Sequence, residues 1–242
     1  MIKTHQQGLF VTGTDTGVGK TRISATLAHL LKQRGWVVRP RKPVESGCLR
    51  VNGDLIPADA VTLQLAAGSD EYLAHICPYR FESALSLERA ARLADRSLSL
   101  HDLKAACQQG VAESDFLLVE GAGGFYSPLA MRLLNADLAV ALSLPVLLVT
   151  TDRLGAINQT LLAVEAIKAR GLTLAAVVLN QVTAEIDPHM NNASELSGWL
   201  EVPVLSTAYT EADPAQPVWQ LPCPALANWL DRWAADDSIA KR

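Results

Sequence analysis

The sequence predicts a doubly wound α/β domain, a mainly parallel sheet with helices on both faces. Three observations lead there. Short apolar runs alternate along the chain with stretches of helical spacing. Runs such as Val146-Leu147-Leu148-Val149 and Ala175-Ala176-Val177-Val178-Leu179 are apolar at every position, as in strands buried on both faces. One strand–turn–helix junction carries a glycine-rich turn ending in Lys20-Thr21.

Taken in order, strands are expected at 9–12, 36–39, 116–119, 146–150, 175–179 and 202–205. Helices are expected at 20–34, 58–67, 87–94, 100–113, 130–142, 156–170 and 194–200. Arg34-Gly35 and Arg170-Gly171 read as helix ends, a basic residue followed by a glycine that can take positive φ. The stretch holding Trp219, Trp229 and Trp233 reads as loops plus a covering helix, and 236–242 as a frayed tail. The chain's 242 residues suit one large domain, and 49% hydrophobic content can fill its core.

Composition narrows the function. A net charge of −4 and the lack of a basic run speak against a nucleic-acid groove. The longest apolar stretch, 138–149, is interrupted by Ser143 and Pro145 and is too short for a bilayer. The start of the chain reaches its first strand too soon for a signal peptide, so a cytoplasmic protein is expected. Cys48, Cys77, Cys107 and Cys223 are widely spaced, as reduced thiols are, and the five histidines (5, 29, 75, 101 and 189) show no ligand spacing.

The loop itself is Gly13-Thr14-Asp15-Thr16-Gly17-Val18-Gly19-Lys20-Thr21. Glycines let backbone N–H groups close on an anion, and the following helix adds positive dipole. Lys20 is placed to meet the β- and γ-phosphates and the Thr21 hydroxyl to meet Mg²⁺. The glycine that usually opens such a loop is one residue early, at Gly13, with Thr14 in its place.

Three further places follow predicted strands or open helices. Lys42 and Ser46, in Arg41-Lys42-Pro43-Val44-Glu45-Ser46-Gly47, follow the second strand and suit a developing phosphoryl charge. Asp59 opens the 58–67 helix, where an acid also suits the dipole. Glu120, in Val119-Glu120-Gly121-Ala122-Gly123-Gly124, ends a buried strand and is followed by glycines, the pattern of a second Mg²⁺ ligand.

Together with Leu154-Gly155-Ala156-Ile157-Asn158 and Leu179-Asn180-Gln181-Val182, these segments resemble the dethiobiotin synthetase family of the P-loop NTPase superfamily, in order from residue 9 to about 205. Septum-site and plasmid-partition ATPases carry a second lysine early in the loop, where this chain has Asp15. The resemblance implies ATP as co-substrate, bound by residues 13–21, with Asn180 reading adenine. It implies Mg²⁺ on Thr21, Asp59 and Glu120, and catalytic roles for Lys20, Lys42 and Ser46. Diaminopelargonic acid would meet Lys42, Ser46 and Gly123, its carboxylate lying at Gly155, Ala156 and Asn158 of a neighbouring subunit in a homodimer. CO₂ is captured as a carbamate, phosphorylated, and closed to a ureido ring.

Two segments depart from the family pattern. Its P-x-x-P-H motif corresponds to the stretch 81–88, where Ala84 and Leu87 replace prolines and Glu88 the histidine. Its G-x-(I/L)-P loop is Ser206-Thr207-Ala208-Tyr209. Two other readings of the same motifs are a cobyrinic-acid-type synthetase and a non-catalytic ATP-binding switch. The first usually carries a glutaminase domain, for which this chain has no room.

Overall fold

A computed structural model describes residues 6–185, 187–211, 213 and 216–235. His5 and the 236–242 tail lie outside the described residues.

The central sheet has six strands: β1 (Gly8–Gly13), β2 (Val38–Arg41), β3 (Phe116–Gly124), β4 (Val146–Thr151), β5 (Leu174–Asn180) and β6 (Val204–Thr207). Their order is β6-β5-β4-β1-β3-β2, and each pairing is parallel. The helices are α1 (Lys20–Gln33), α2 (Ala58–Ala67), α3 (Leu73–Ile76), α4 (Leu87–Leu93), α5 (Leu100–Gln108), α6 (Asn135–Leu142), α7 (Ala156–Ala169), α8 (Asn192–Trp199) and α9 (Pro224–Ala235).

Strand alternation divides the core in two. Leu9, Val11, Leu147 and Val149 point to the side of α1, α2 and α9. Phe10, Leu117, Leu148 and Val177 point to the side of α4 to α8. Both faces are therefore sealed, which is why the strands are continuously apolar. On the α9 face Trp229 stacks on Trp233, and Trp233 meets Phe116 edge-on.

Several boundaries differ from the sequence expectation, each for a local reason. After α1, Gly35 at φ 84° turns the chain, and Trp36 N–H donates back to Leu31, so β2 starts at Val38. Gly110 at φ 68° follows α5 and stops it short of Glu113. Ala130 belongs to a ribbon pairing Pro128–Ala130 with Leu133–Leu134, so α6 begins at Asn135. β6 lies two residues later than expected, after Pro203. Asn191 caps α8 through its side chain, so that helix starts at Asn192. The short α3, a parallel pair of Val44–Ser46 with Tyr79–Phe81, and a hairpin of Leu49–Val51 with Asp54–Ile56 escape sequence reading altogether, being too short to show a period.

Candidate functional site

Strand order assembles the site. β3 lies between β1 and β2, so the turn after β1, Glu120 on β3 and Lys42 beyond β2 emerge side by side at one end of the sheet. They surround a cleft of about 700 Å³, lined by Thr16, Gly19, Lys20, Thr21, Lys42, Glu45, Ser46, Asp59 and Gly123 among others.

The loop takes its shape from its glycines. Gly19 has φ 91°, and a Cβ there would fall 2.0 Å from Asn180 Nδ2. At Gly13 a Cβ would meet Val18 Cγ2 at 2.8 Å, so the early glycine still serves close packing. Thr14 Oγ1 donates to Thr150 Oγ1 at 3.0 Å, tying the loop to β4. Asp15 Oδ1 accepts from Thr16 N–H at 2.7 Å, while Lys20 Nζ donates to the Asp15 carbonyl at 2.9 Å. Burial, then the neighbouring Lys42, pull the Lys20 ammonium down to about 8.

The cleft floor holds an ionic cluster. Lys42 Nζ lies 2.6 Å from Glu120 Oε1 and 2.9 Å from Asp59 Oδ2. Thr21 Oγ1 donates to the same Glu120 oxygen at 3.0 Å, whereas Glu120 Oε2 is buried without a hydrogen-bond partner. Burial would lower the Lys42 pKa, but Glu120 and Asp59 reverse this and raise it. Burial works against the Asp59 carboxylate, yet Lys42 holds its pKa below the usual range. Arg41, one residue earlier, goes elsewhere: it is fully buried and forms a two-pronged pair with Glu71 at 2.9 and 3.0 Å.

Glu45 is a site residue that sequence reading missed. Its two carboxylate oxygens accept from Asp59 N–H (3.0 Å) and Ala60 N–H (3.1 Å), capping α2 from outside the helix. This cap holds Asp59 at the cleft and leaves its side chain free for Lys42. Pro57 precedes α2 and offers no capping side chain, which is the one signal in the sequence that an external cap is needed. Burial, then nearby Asp59, raise the Glu45 pKa.

Asn135 is the second such residue. From the start of α6, its amide accepts from Ala122 N–H (3.1 Å) and donates to the carbonyls of Ala122 and Gly124, bracing the glycine-rich end of β3 after Glu120. Gly123 has φ 69°, and a Cβ there would fall against the Ser127 and Thr16 hydroxyls.

The remaining expected residues take different places. Ser46 is on the cleft wall, its hydroxyl donating to the Leu85 carbonyl at 2.9 Å. The altered 81–88 stretch supplies Ala84, Leu85, Ser86 and Leu87 to the wall beside Ser46. Asn180 lies behind the loop, 1% exposed. Gly155, Ala156 and Asn158 start α7 beyond β4 and do not line the cleft. Gly155 has φ 89° and open space where a Cβ would stand. Among the described residues no group of three or more His, Cys, Asp or Glu side chains forms a metal cage, and no helix is long and apolar enough to cross a membrane.

A protein family described as an AAA domain matches residues 7–209. The chain is 44% identical over 192 residues to the ATP-dependent dethiobiotin synthetase BioD of Anaeromyxobacter dehalogenans (strain 2CP-C), spanning 79% of this chain and 84% of that one. It is 43% identical over 176 residues to the protein of the same name from Ruthia magnifica subsp. Calyptogena magnifica, spanning 73% and 80%. Two solved structures share the fold at low identity. The MinC:MinD cell division protein complex of Aquifex aeolicus gives TM-score 0.56 at 13% identity, covering 96% of this chain and 97% of that one. The septum site-determining protein MinD with Mg-ADP from Pyrococcus horikoshii OT3 gives 0.52 at 16%, covering 98% and 99%. With that identity over most of both chains, and with the phosphate loop, lysine and carboxylates converging in one cleft, the chain belongs to the ATP-dependent dethiobiotin synthetase family.

Proposed function

We propose that this protein is an ATP-dependent cyclo-ligase that closes the ureido ring of dethiobiotin on 7,8-diaminopelargonic acid. The observation that carries this reading is the convergence of Lys20, Thr21, Lys42 and Asp59 on one cleft, with Glu120 buried beneath them and bonded to Thr21 and Lys42. One substrate amine adds to CO₂ and gives a carbamate. A carbamate oxygen attacks the γ-phosphorus of ATP, and ADP leaves. The second amine then attacks the carbamoyl carbon, the C–O bond to phosphate breaks, and inorganic phosphate departs with the ring closed.

No protein nucleophile is needed; the residues position reactants and balance charge. Gly17 and Gly19 bring the loop backbone to the cleft, and Lys20 brings a cation to the phosphates. Lys42, held by Glu120 and Asp59, presents a fixed positive charge where negative charge builds on the transferred group. Ala84, Leu85 and Leu87 supply apolar wall for the hydrocarbon chain of the diamine, and Ser46 a hydroxyl beside it.

The Thr21 hydroxyl and the Asp59 and Glu120 carboxylates fit Mg²⁺: all are hard oxygen donors, and the buried, unpartnered Glu120 Oε2 has acceptor capacity to spare. Such an ion, when bound, offsets charge on the β- and γ-phosphate oxygens. We place the enzyme in the cytoplasm, a reading supported by four free cysteines. We also read it as a homodimer, because Gly155 and Asn158 at the α7 start are exposed and outside the cleft of their own chain, as expected if they serve a neighbour, whereas Ala156 between them is buried.

The test is product formation. Dethiobiotin, read by mass spectrometry, should appear only when ATP, Mg²⁺, diamine and bicarbonate are all present, with one ADP released per ring. ATP hydrolysis indifferent to the diamine would overturn the assignment and favour a nucleotide switch.

A further inference from the structure

Glu45 lies between Lys42 and Ser46 on one short segment and is 7% exposed. Backbone bonds fix that segment. Lys42 N–H donates to the Ile76 carbonyl at 2.9 Å, and Val44–Ser46 pairs in parallel with Tyr79–Phe81. From there both Glu45 carboxylate oxygens reach α2, accepting from the Asp59 and Ala60 N–H groups at 3.0 and 3.1 Å. The segment that carries Lys42 is thus bonded to the helix that carries Asp59.

These bonds matter because Asp59 has a competing place to go. A helix cannot satisfy the N–H groups of its own first turn, and an acid in that turn is drawn to them by charge. Asp59 is the acid in the first turn of α2. Pro57, at the N-cap, brings neither an N–H nor a capping side chain. With Glu45 removed, the Asp59 carboxylate would answer its own helix and leave Lys42. With Glu45 in place, Asp59 lines the cleft and its Oδ2 lies 2.9 Å from Lys42 Nζ.

We propose that Glu45 is a positioning residue that keeps the Asp59 carboxylate turned into the cleft, and so sets how tightly the site holds Mg²⁺. It acts through Asp59, both of its oxygens being committed to the α2 backbone. The inference deepens the function proposed above and, for its metal clause, rests on Asp59 being a Mg²⁺ ligand there.

Two readouts test it without turnover. In a crystal structure of Glu45→Ala, the Asp59 carboxylate should lie on the α2 N–H groups and out of hydrogen-bond reach of Lys42. In calorimetry of ADP at graded Mg²⁺, the Mg²⁺ needed for half-maximal tightening should rise about tenfold, as when a metal ligand loses its support. ADP binding without Mg²⁺ should not change, which a general loosening of the fold would not leave intact. Glu45→Gln, which keeps one acceptor, should fall between and serves if Glu45→Ala does not fold. Glu45→Ala joined to Asp59→Asn should be no worse than Asp59→Asn alone, since both act on one group. Pro57→Ser supplies a rescue: the backbone there is extended, φ −82° and ψ 100°, and a serine hydroxyl would accept from the same N–H groups. Added to Glu45→Ala, it should bring back most of the Mg²⁺ response. An Asp59 that stays on Lys42 in Glu45→Ala would overturn the proposal, as would a folded Glu45→Ala with the wild-type Mg²⁺ response. A normal Mg²⁺ titration of Asp59→Asn would count against the metal assignment alone, and the direction of Asp59 in the Glu45→Ala structure would still decide the positioning role.

Discussion

Lys42 and Glu120 meet at 2.6 Å, an ammonium from beyond β2 and a carboxylate from within β3 joined at the floor of the cleft. Asp59 makes the same ammonium its partner at 2.9 Å. One lysine thus pairs with two carboxylates in a pocket where Lys42 and Glu120 are almost fully buried. Removing it exposes the cost of that arrangement. Lys42→Met should destabilise the protein by about 3 kcal/mol, because a buried carboxylate is left without its counter-charge. The shift in urea midpoint measures this. It should also abolish dethiobiotin formation while leaving ADP binding detectable.

The pair has a pH signature. Lys42 holds the folded Asp59 below its ordinary pKa, so this stabilisation is present above the ordinary aspartate range and is lost as pH falls through the lowered folded value. Unfolding midpoints measured from neutral pH down into the acid range should therefore fall in the wild type. The fall should be shallower in Lys42→Met. Equal slopes would remove Lys42 as the cause.

Lys20 carries the opposite sign. Burial depresses its folded pKa to about 8, against 10.5 for an ordinary lysine, so holding its charge costs stability below pH 8. The unfolded chain binds more protons between those values, and stability should rise as pH rises from 8 towards 10. Lys20→Ala should match or exceed wild-type stability at pH 7, by up to the order of 2 kcal/mol. Its nucleotide-dependent turnover should vanish while circular dichroism stays unchanged. Unimpaired turnover would refute the phosphate-loop assignment.

Asp59 and Glu120 are separated widely in sequence and are bridged here by Lys42 and Thr21. Asp59→Asn and Glu120→Gln should each raise the Mg²⁺ concentration needed for half-maximal activity. Glu120→Gln should have the larger effect, since its second oxygen is the buried acceptor without a partner. A normal Mg²⁺ titration of Asp59→Asn would reduce Asp59 to a partner of Lys42 alone.

A shared site can be tested by mixing. Gly155→Asp should be inactive through repulsion of the substrate carboxylate, and Lys20→Ala through loss of the loop cation. Aspartate tolerates the left-handed backbone of Gly155 better than most residues. Co-refolded in equal amounts, random pairing should restore roughly a quarter of wild-type activity per site. Verified mixed dimers without activity would show that each site is built within one chain.

Sequence by itself determined the elements and the chemistry of their ends. Apolar runs gave the strands because burial on both faces leaves no polar position, and the loop at 13–21 declared itself because glycines, lysine and threonine act within one short turn. Asp59 could be read equally as a helix-start acid, and nothing local decides between that and a role in the cleft. Tertiary structure decided it. The order β1-β3-β2 places Lys42 between Asp59 and Glu120, and Glu45 takes over the helix-start N–H groups that Asp59 would otherwise answer. Asn180 shows the same division. The sequence pattern places it at a strand's end, but the partners of its amide oxygen, Arg22 and Thr207, come from other elements of the fold. Those residues lie 158 and 27 positions away, and hydrogen-bond valence is filled in space, not along the chain.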